Sequence, residues 1–246
     1  MELEGKTALV TGAGRSIGAD IAKRLAAEGA HVAVNYGSSA AAANAVVEDI
    51  QSQGGKAFAV QADMSDADSV RELFEATDKT FAGKLDILVN NAGYLAMGEL
   101  ADCTDEDFEK TINLNVRGVF IAAREAVGRM GSGGRIINIG SIFGERIAFP
   151  GVGLYTMSKF AVAGFTRAWA RDLGEKGITV NCIQPGPIDT DMNPADGDFA
   201  EVVTPTVAMK RYGTTNEVAD LVAFVASPRA SYISGACINV DGGTNA

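Results

Sequence analysis

Histidine is almost absent from this chain: His31 is the only one. Ser-His-Asp catalysis requires a histidine beside the nucleophile, and multi-histidine metal sites require several. Both are excluded, no metal site is expected, and proton chemistry is left to other groups. Cysteine is scarce too. Cys103, Cys182 and Cys237 are odd in number and far apart, which fits neither a disulfide framework nor a metal-ligand spacing, so buried thiols are expected. No apolar run reaches the roughly 18 residues of a membrane span. Met1 leads straight toward an apolar strand with no secretory leader, which predicts a cytoplasmic protein. Positive charge is in deficit, Lys+Arg 21 against Asp+Glu 31, and a net charge of -10 repels nucleic acid and anionic membranes at long range. The expected partner is a small molecule.

What is plentiful is aliphatic side chains and glycine. With 246 residues, 47% of them apolar, the chain can bury a large core. The 29 glycines are spread along the chain, many of them just after short apolar runs, where strand-to-helix turns are tight. Those runs are Thr7 to Val10, Val32 to Val34, Ala57 to Val60, Ile87 to Val89, Ile136 to Ile139, Ile178 to Ile183 and Cys237 to Val240. Each is strand-length and apolar on both faces, as a doubly covered parallel strand must be. Helical stretches lie between them, at about 17 to 29, 39 to 54, 66 to 82, 105 to 130, 153 to 175 and 215 to 226. The alternation predicts an α/β chain, a single domain over 1–246, built as a Rossmann-type doubly wound, seven-stranded parallel sheet with helices on both faces. Residues from about 187 to 210 carry Pro187, Pro194 and Pro205 with few helical cues, and read as an irregular lid.

The first strand ends in Thr11-Gly12-Ala13-Gly14-Arg15-Ser16-Ile17-Gly18 and enters a helix. Free N-H groups at such a helix start favour a pyrophosphate. Dinucleotide folds that use NAD carry an acid about 20 residues further on, for the ribose 2'-hydroxyl. Here that stretch is Asn35-Tyr36-Gly37-Ser38, and no carboxylate appears before Glu48. A 2'-phosphate meets no repulsion, Arg15 can pair with it, and Asn35 or Ser38 can donate hydrogen bonds. NADP(H) is therefore favoured over NAD(H).

The turn resembles the TGxxxGxG of the short-chain dehydrogenase/reductase family, with Gly12 and Gly18 matching and Ser16 standing where the family has its middle glycine. Asn90-Asn91-Ala92-Gly93 resembles the family's NNAG turn, and Asp63, beside Met64, its adenine-contacting acid. Pro185-Gly186-Pro187-Ile188-Asp189-Thr190 resembles the family's PG turn, whose following backbone and threonine contact the nicotinamide carboxamide. Asp241-Gly242-Gly243 near the end is also family-like, so the matches span nearly the whole chain. Carried over, the resemblance implies a cofactor site of Gly12, Gly14, Arg15, Ser16, Ile17, Gly18, Asn35, Tyr36, Ser38, Asp63, Met64, Asn91, Ala92, Gly93, Tyr155, Lys159, Pro185, Gly186, Ile188 and Thr190.

Tyr155 and Lys159, four residues apart on a predicted helix, share one face. Ser141 follows the fifth strand, at the sheet edge where such folds place their sites. Reducing a ketone takes a hydride to carbon and a proton to oxygen, so an acid must stand beside the carbonyl. Tyr155 is the candidate acid, and the positive charges of Lys159 and an oxidised nicotinamide stabilise the phenolate it leaves. Ser141 would hold the substrate oxygen. The family's Ser-Tyr-Lys arrangement matches these three, Asn115 matches a fourth catalytic residue that holds a water behind the lysine, and Lys159 would grip the nicotinamide ribose. Asparagine and glycine in Asn113-Leu114-Asn115-Val116-Arg117-Gly118 disfavour a helix interior and predict a local kink.

Position along the chain nominates Tyr94, Leu95, Met97, Ile142, Phe143, Phe149, Leu154, Met192 and Phe199 as pocket residues around Ser141. Their apolar character suits a small or cyclic ketone or secondary alcohol. The resemblance extends to 3-oxoacyl-[acyl-carrier-protein] reductases, whose acidic carrier would need a basic patch such as Arg124, Arg129, Arg167 and Arg171. A non-catalytic NADP(H)-sensing regulator would need none of Asn115, Ser141, Tyr155 and Lys159. The resemblance also implies a homo-oligomer, commonly a tetramer.

Overall fold

The computed structural model describes residues 1–147 and 149–246. Along the chain run β1 (Thr7–Val10), α1 (Ser16–Ala27), β2 (His31–Tyr36), α2 (Ala40–Ser52), β3 (Lys56–Gln61), α3 (Ala67–Phe81) and β4 (Ile87–Asn90). Then follow α4 (Asp105–Ile112), a π-helical turn (Asn113–Gly118), α5 (Val119–Val127), β5 (Arg135–Ile139), α6 (Gly153–Leu173), β6 (Thr179–Pro185), α7 (Asp198–Val203), α8 (Thr215–Ala226) and β7 (Cys237–Val240). The strands form one sheet in the order β3-β2-β1-β4-β5-β6-β7, parallel throughout. Between β1 and β4 the order reverses, and the connections diverge there to open a crevice at the carboxyl ends of the strands.

Strand alternation divides the core into two layers. Val10, Val34, Val89, Ile137 and Ile183 face Ile21 and Leu25 of α1, Val46 and Ile50 of α2, and Val218 and Val222 of α8. Their neighbours Leu9, Ala33, Leu88, Ile136 and Val180 face Leu73 and Phe74 of α3 and Ile121 and Ala126 of α5. Each large aliphatic side chain so buried contributes about 1.5–3 kcal/mol. His31 sits at the amino end of β2, edge-on to Phe58 and Phe81 and far along the strand from the crevice.

Two expectations are corrected here. The stretch 187–210 is not irregular throughout: it contains α7 and a 3-10 turn over Thr204–Thr206, where Pro205 occupies an early position that needs no N-H. Distance in sequence also hid a meeting of thiols, because β6 and β7 pair in register and set Cys182 opposite Cys237. Both are free, and the neighbouring buried Cys182 thiol holds the Cys237 thiol below its ordinary value. Among the described residues, no helix is long and apolar enough to cross a membrane.

Candidate active site

A groove of about 1270 Å³ runs along the carboxyl ends of the strands, from Tyr36 and Asp63 at one end to Phe149 and Phe199 at the other. Its first half is a close fit between two turns. Gly12 has φ 61, and a side chain there would set its Cβ 2.9 Å from Ala92 Cα. At Gly18 a Cβ would lie 2.5 Å from both Asn91 Nδ2 and Gly12 O. Glycine is therefore required at both positions. Gly14 is looser, its nearest neighbour 3.6 Å from a Cβ. Thr11 ties the turns together, its Oγ1 accepting the N-H groups of Asn91 and Ala92, while Asn91 Nδ2 donates back to the carbonyls of Thr11 and Gly12.

The helices beside this groove differ at their starts. Ser39, Asp66, Thr104 and Thr214 cap α2, α3, α4 and α8 with their own side chains, whereas α1, like α6 and α7, has no side-chain cap. Its first residues, Ser16, Ile17 and Gly18, line the groove. An uncapped helix start among glycines has the donors and the room that a pyrophosphate needs, so the residues present fit a dinucleotide. Ser16, where the family's turn has glycine, takes φ 47, the left-handed region that a non-glycine residue enters at a cost.

Asn35, expected to donate toward a 2'-phosphate, has another task. It is 1% exposed; its Oδ1 accepts the Gly12 N-H, and its Nδ2 faces the carbonyls of Val60 and Ala62. Asn35 braces the turn from below, and Arg15, Ser38 and Ser39 also line that part of the wall. Asp63 accepts the N-H and Oγ-H of Ser65 in a local turn and still lines the groove, as do Tyr36, Met64 and Gly93.

At the far half, Ser141, Tyr155 and Lys159 come together from β5 and α6. Ser141 Oγ accepts the Phe143 N-H at 3.2 Å, which leaves its hydroxyl hydrogen free. Lys159 Nζ donates one of its three hydrogens to the Ile139 carbonyl at 2.9 Å and stands 5.3 Å from the centre of the Tyr155 ring. Ser141 and Lys159 are buried, at 7% and 6% exposure. A Cβ on Gly93 would come within 3.8 Å of Lys159 Nζ.

Asn115 projects from the π-helical turn, a local widening of the helix that serves as the expected kink. Its amide accepts the Tyr94 N-H and donates to the Tyr94 carbonyl and to Ser158 Oγ, which in turn donates to the Tyr155 carbonyl. The side chain expected to hold a water thus braces the loop after β4 against the helix of Tyr155 and Lys159. Ser158 was overlooked in the sequence, although its place three residues after Tyr155 on a helix signals a shared face.

The apolar wall is aromatic. Tyr155 meets Phe143 at 6.2 Å, Phe143 meets Phe149 at 5.1 Å, and Phe149 meets Phe199 at 5.3 Å, each edge to face. Tyr94, Leu95, Met97 and Met192 also line this half. Ile142 and Leu154 do not: Ile142 is buried behind the 3-10 turn it begins, and Leu154 lies in the first turn of α6 away from the groove. On the floor, Pro185 and Gly186 end β6, where a Cβ on Gly186 would stand 2.6 Å from Asp241 Cβ, and Ile188 and Thr190 follow.

A family model described as Enoyl-(Acyl carrier protein) reductase matches residues 12–245. The chain belongs to the short-chain dehydrogenase/reductase family. Its relatives in this oxidoreductase family include the 3-oxoacyl-[acyl-carrier-protein] reductase of Staphylococcus aureus, 42% identical over 97% of each chain. The versicolorin reductase of Emericella nidulans is 41% identical over 98% of this chain and 96% of its own. Among solved structures, a short-chain dehydrogenase of Burkholderia cenocepacia in complex with NADP is 49% identical, covers both chains fully and superposes with a TM-score of 0.98. The family and the NADP-bound neighbour support a nicotinamide cofactor.

Proposed function

We propose that the protein is an NADP(H)-dependent ketone reductase, or alcohol dehydrogenase, acting on a small or cyclic substrate. One observation carries the reading: Ser141, Tyr155 and Lys159 meet at the end of a groove whose wall continues from Tyr155 through Phe143 and Phe149 to Phe199. A wall of aromatic side chains suits a flat, apolar ring in the substrate. The bound cofactor supplies hydride to the carbonyl carbon. Tyr155 gives its hydroxyl proton to the carbonyl oxygen, and Ser141, whose Oγ already accepts the Phe143 N-H, donates its hydroxyl hydrogen to the same oxygen. Lys159 keeps two N-H groups beyond the one on Ile139, for a ribose hydroxyl and for the charge developing on Tyr155. Asn115 positions this group by bracing Tyr94 and Ser158.

NADP(H) is favoured because Arg15 stands exposed on the wall and Tyr36-Gly37-Ser38 brings no carboxylate. Residues 187–210 act as a lid, with Met192 and Phe199 on its inner side. Phe120 of α5 and Met157 and Phe160 of α6 leave an apolar face in solvent, which fits the homotetramer implied by the family. The S. aureus relative keeps carrier-bound acyl substrates in view. Against them, Arg129 of the basic set is engaged by Asp78 and Glu125, and Arg124 by Glu125.

Steady-state oxidation of NADPH and NADH, run in parallel against cyclic ketones, diketones and an acetoacetyl thioester, tests the reading. Turnover of a cyclic ketone with little of the thioester supports it; the reverse order transfers the function to acyl-carrier reduction.

A further inference from the structure

The turn between β6 and α7 reaches back to the start of α1. Asp191 Oδ2 accepts a hydrogen bond from Ser16 Oγ at 3.2 Å and lies 3.9 Å from Arg15 Nε. Ser16 exists as a contact only because serine stands where the family's turn has glycine. Asp191 is not needed to shape its own loop: Thr190 bridges to Asn193, and Asp189 accepts the Ala195 N-H, so the turn is held from both sides without it. A carboxylate therefore sits at the wall where the cofactor's phosphates are to go, sharing a cation with one of them. Two anions of like charge beside one exposed guanidinium oppose each other.

We propose that Asp191 is a determinant of cofactor choice: its carboxylate competes with the 2'-phosphate of NADP(H) for Arg15 and tethers the β6–α7 segment to Ser16 until the phosphate displaces it. The inference rests on the reading that Arg15 meets the 2'-phosphate. Cofactor binding then exchanges one partner of Arg15 for another and frees the segment to settle over the nicotinamide end. NADH has no 2'-phosphate to displace the contact, so the same carboxylate costs NADPH affinity that NADH does not lose.

The experiment is equilibrium titration of the full chain with NADPH and with NADH, without substrate, following the fluorescence of the bound reduced nicotinamide. Asp191→Asn keeps the side-chain shape and its hydrogen bond with Ser16 and removes the charge. The expected result is NADPH binding tightened about two- to fivefold, the range of an exposed ion pair, with NADH changed less and the difference shrinking as salt is raised. Unchanged or weaker NADPH binding, or an equal gain for both cofactors, overturns the proposal. Arg15→Ala separates the two readings. If it weakens NADPH selectively while Asp191→Asn does nothing, only the competition fails; if it weakens both cofactors equally, the underlying assignment of Arg15 fails. In the Arg15→Ala background, Asp191→Asn is expected to add nothing.

Discussion

The floor and the rim of the groove are built on opposite terms. On the floor, Asn115, Ser141 and Lys159 are buried, and each is tied to a backbone group: Asn115 to Tyr94, Ser141 to Phe143 and Lys159 to Ile139. On the rim, Arg15, Asp191, Met192 and Phe199 are exposed, and the charged pair among them is screened by water. Groups that must meet a reacting bond within a fraction of an ångström gain from being held before the substrate arrives. Groups that choose a substrate or cofactor gain from being easy to rearrange. The difference predicts large, sharp losses from floor substitutions and graded shifts from rim substitutions.

The largest expected effect is at Tyr155, which stands beside that floor, 5.3 Å from Lys159 Nζ at its ring centre. Tyr155→Phe removes a proton and almost no volume, so kcat with a responsive ketone should fall roughly a hundred- to ten-thousandfold, while NADPH binding measured by titration stays near that of the parent. Activity within a few-fold of the parent would remove Tyr155 from the chemistry. Next comes the cationic rim. A hydrogen bond to a charged group contributes about 1.5–3 kcal/mol, so Arg15→Ala should weaken NADPH by about ten- to a hundredfold and NADH far less. Smaller again is the aromatic rim: Phe199→Ala loses an edge-to-face contact of about 0.5–1.5 kcal/mol, and should raise KM for a cyclic ketone more than it lowers kcat. A kcat collapse there would erase the contrast between rim and floor.

The smallest effect is in acid, and it tests how the rim is anchored. Arg211 and the Thr214 N-H hold the Glu217 carboxyl down from its ordinary 4.5 to about 2, where the segment after α7 bridges back to Ile188 and enters α8. A carboxyl with a lowered folded-state value stabilises the fold above its unfolded value. That contribution is lost as pH falls from 4.5 through 2. The pair is exposed, so the loss is small. Protection factors for amide exchange over 204–217, corrected for the intrinsic pH dependence of exchange, should fall slightly in that window, and Glu217→Gln should flatten the response.

The layered sheet was readable in the sequence because short, mostly apolar runs such as Ile87 to Val89 and Ile136 to Ile139 recur at intervals between helical stretches, as strands covered on both faces require. The kink at Asn113–Gly118 was readable for a similar reason: its residues resist an ordinary helix. Asn35 lines the groove as expected, but its ties to the backbone were not readable, because a polar side chain beside a groove looks the same in sequence whether it faces the ligand or the backbone beneath. Only the depth of β2 decides. Asp191 and the Cys182–Cys237 pair lay beyond sequence reading altogether, since both join residues brought together by the return of the chain across the sheet.

Gly118 closes the π-helical turn so tightly on the loop after β3 that a Cβ there would fall 2.1 Å from the Met64 carbonyl oxygen. Met64 lines the half of the groove beside the glycine-rich turn, and Asn115, three residues before Gly118, braces the other half. Met192, Phe199 and Asp191 are exposed and can be changed one at a time, but a saturation library at position 118 should return glycine alone. The seam between the two halves is where the lineage has no room to explore.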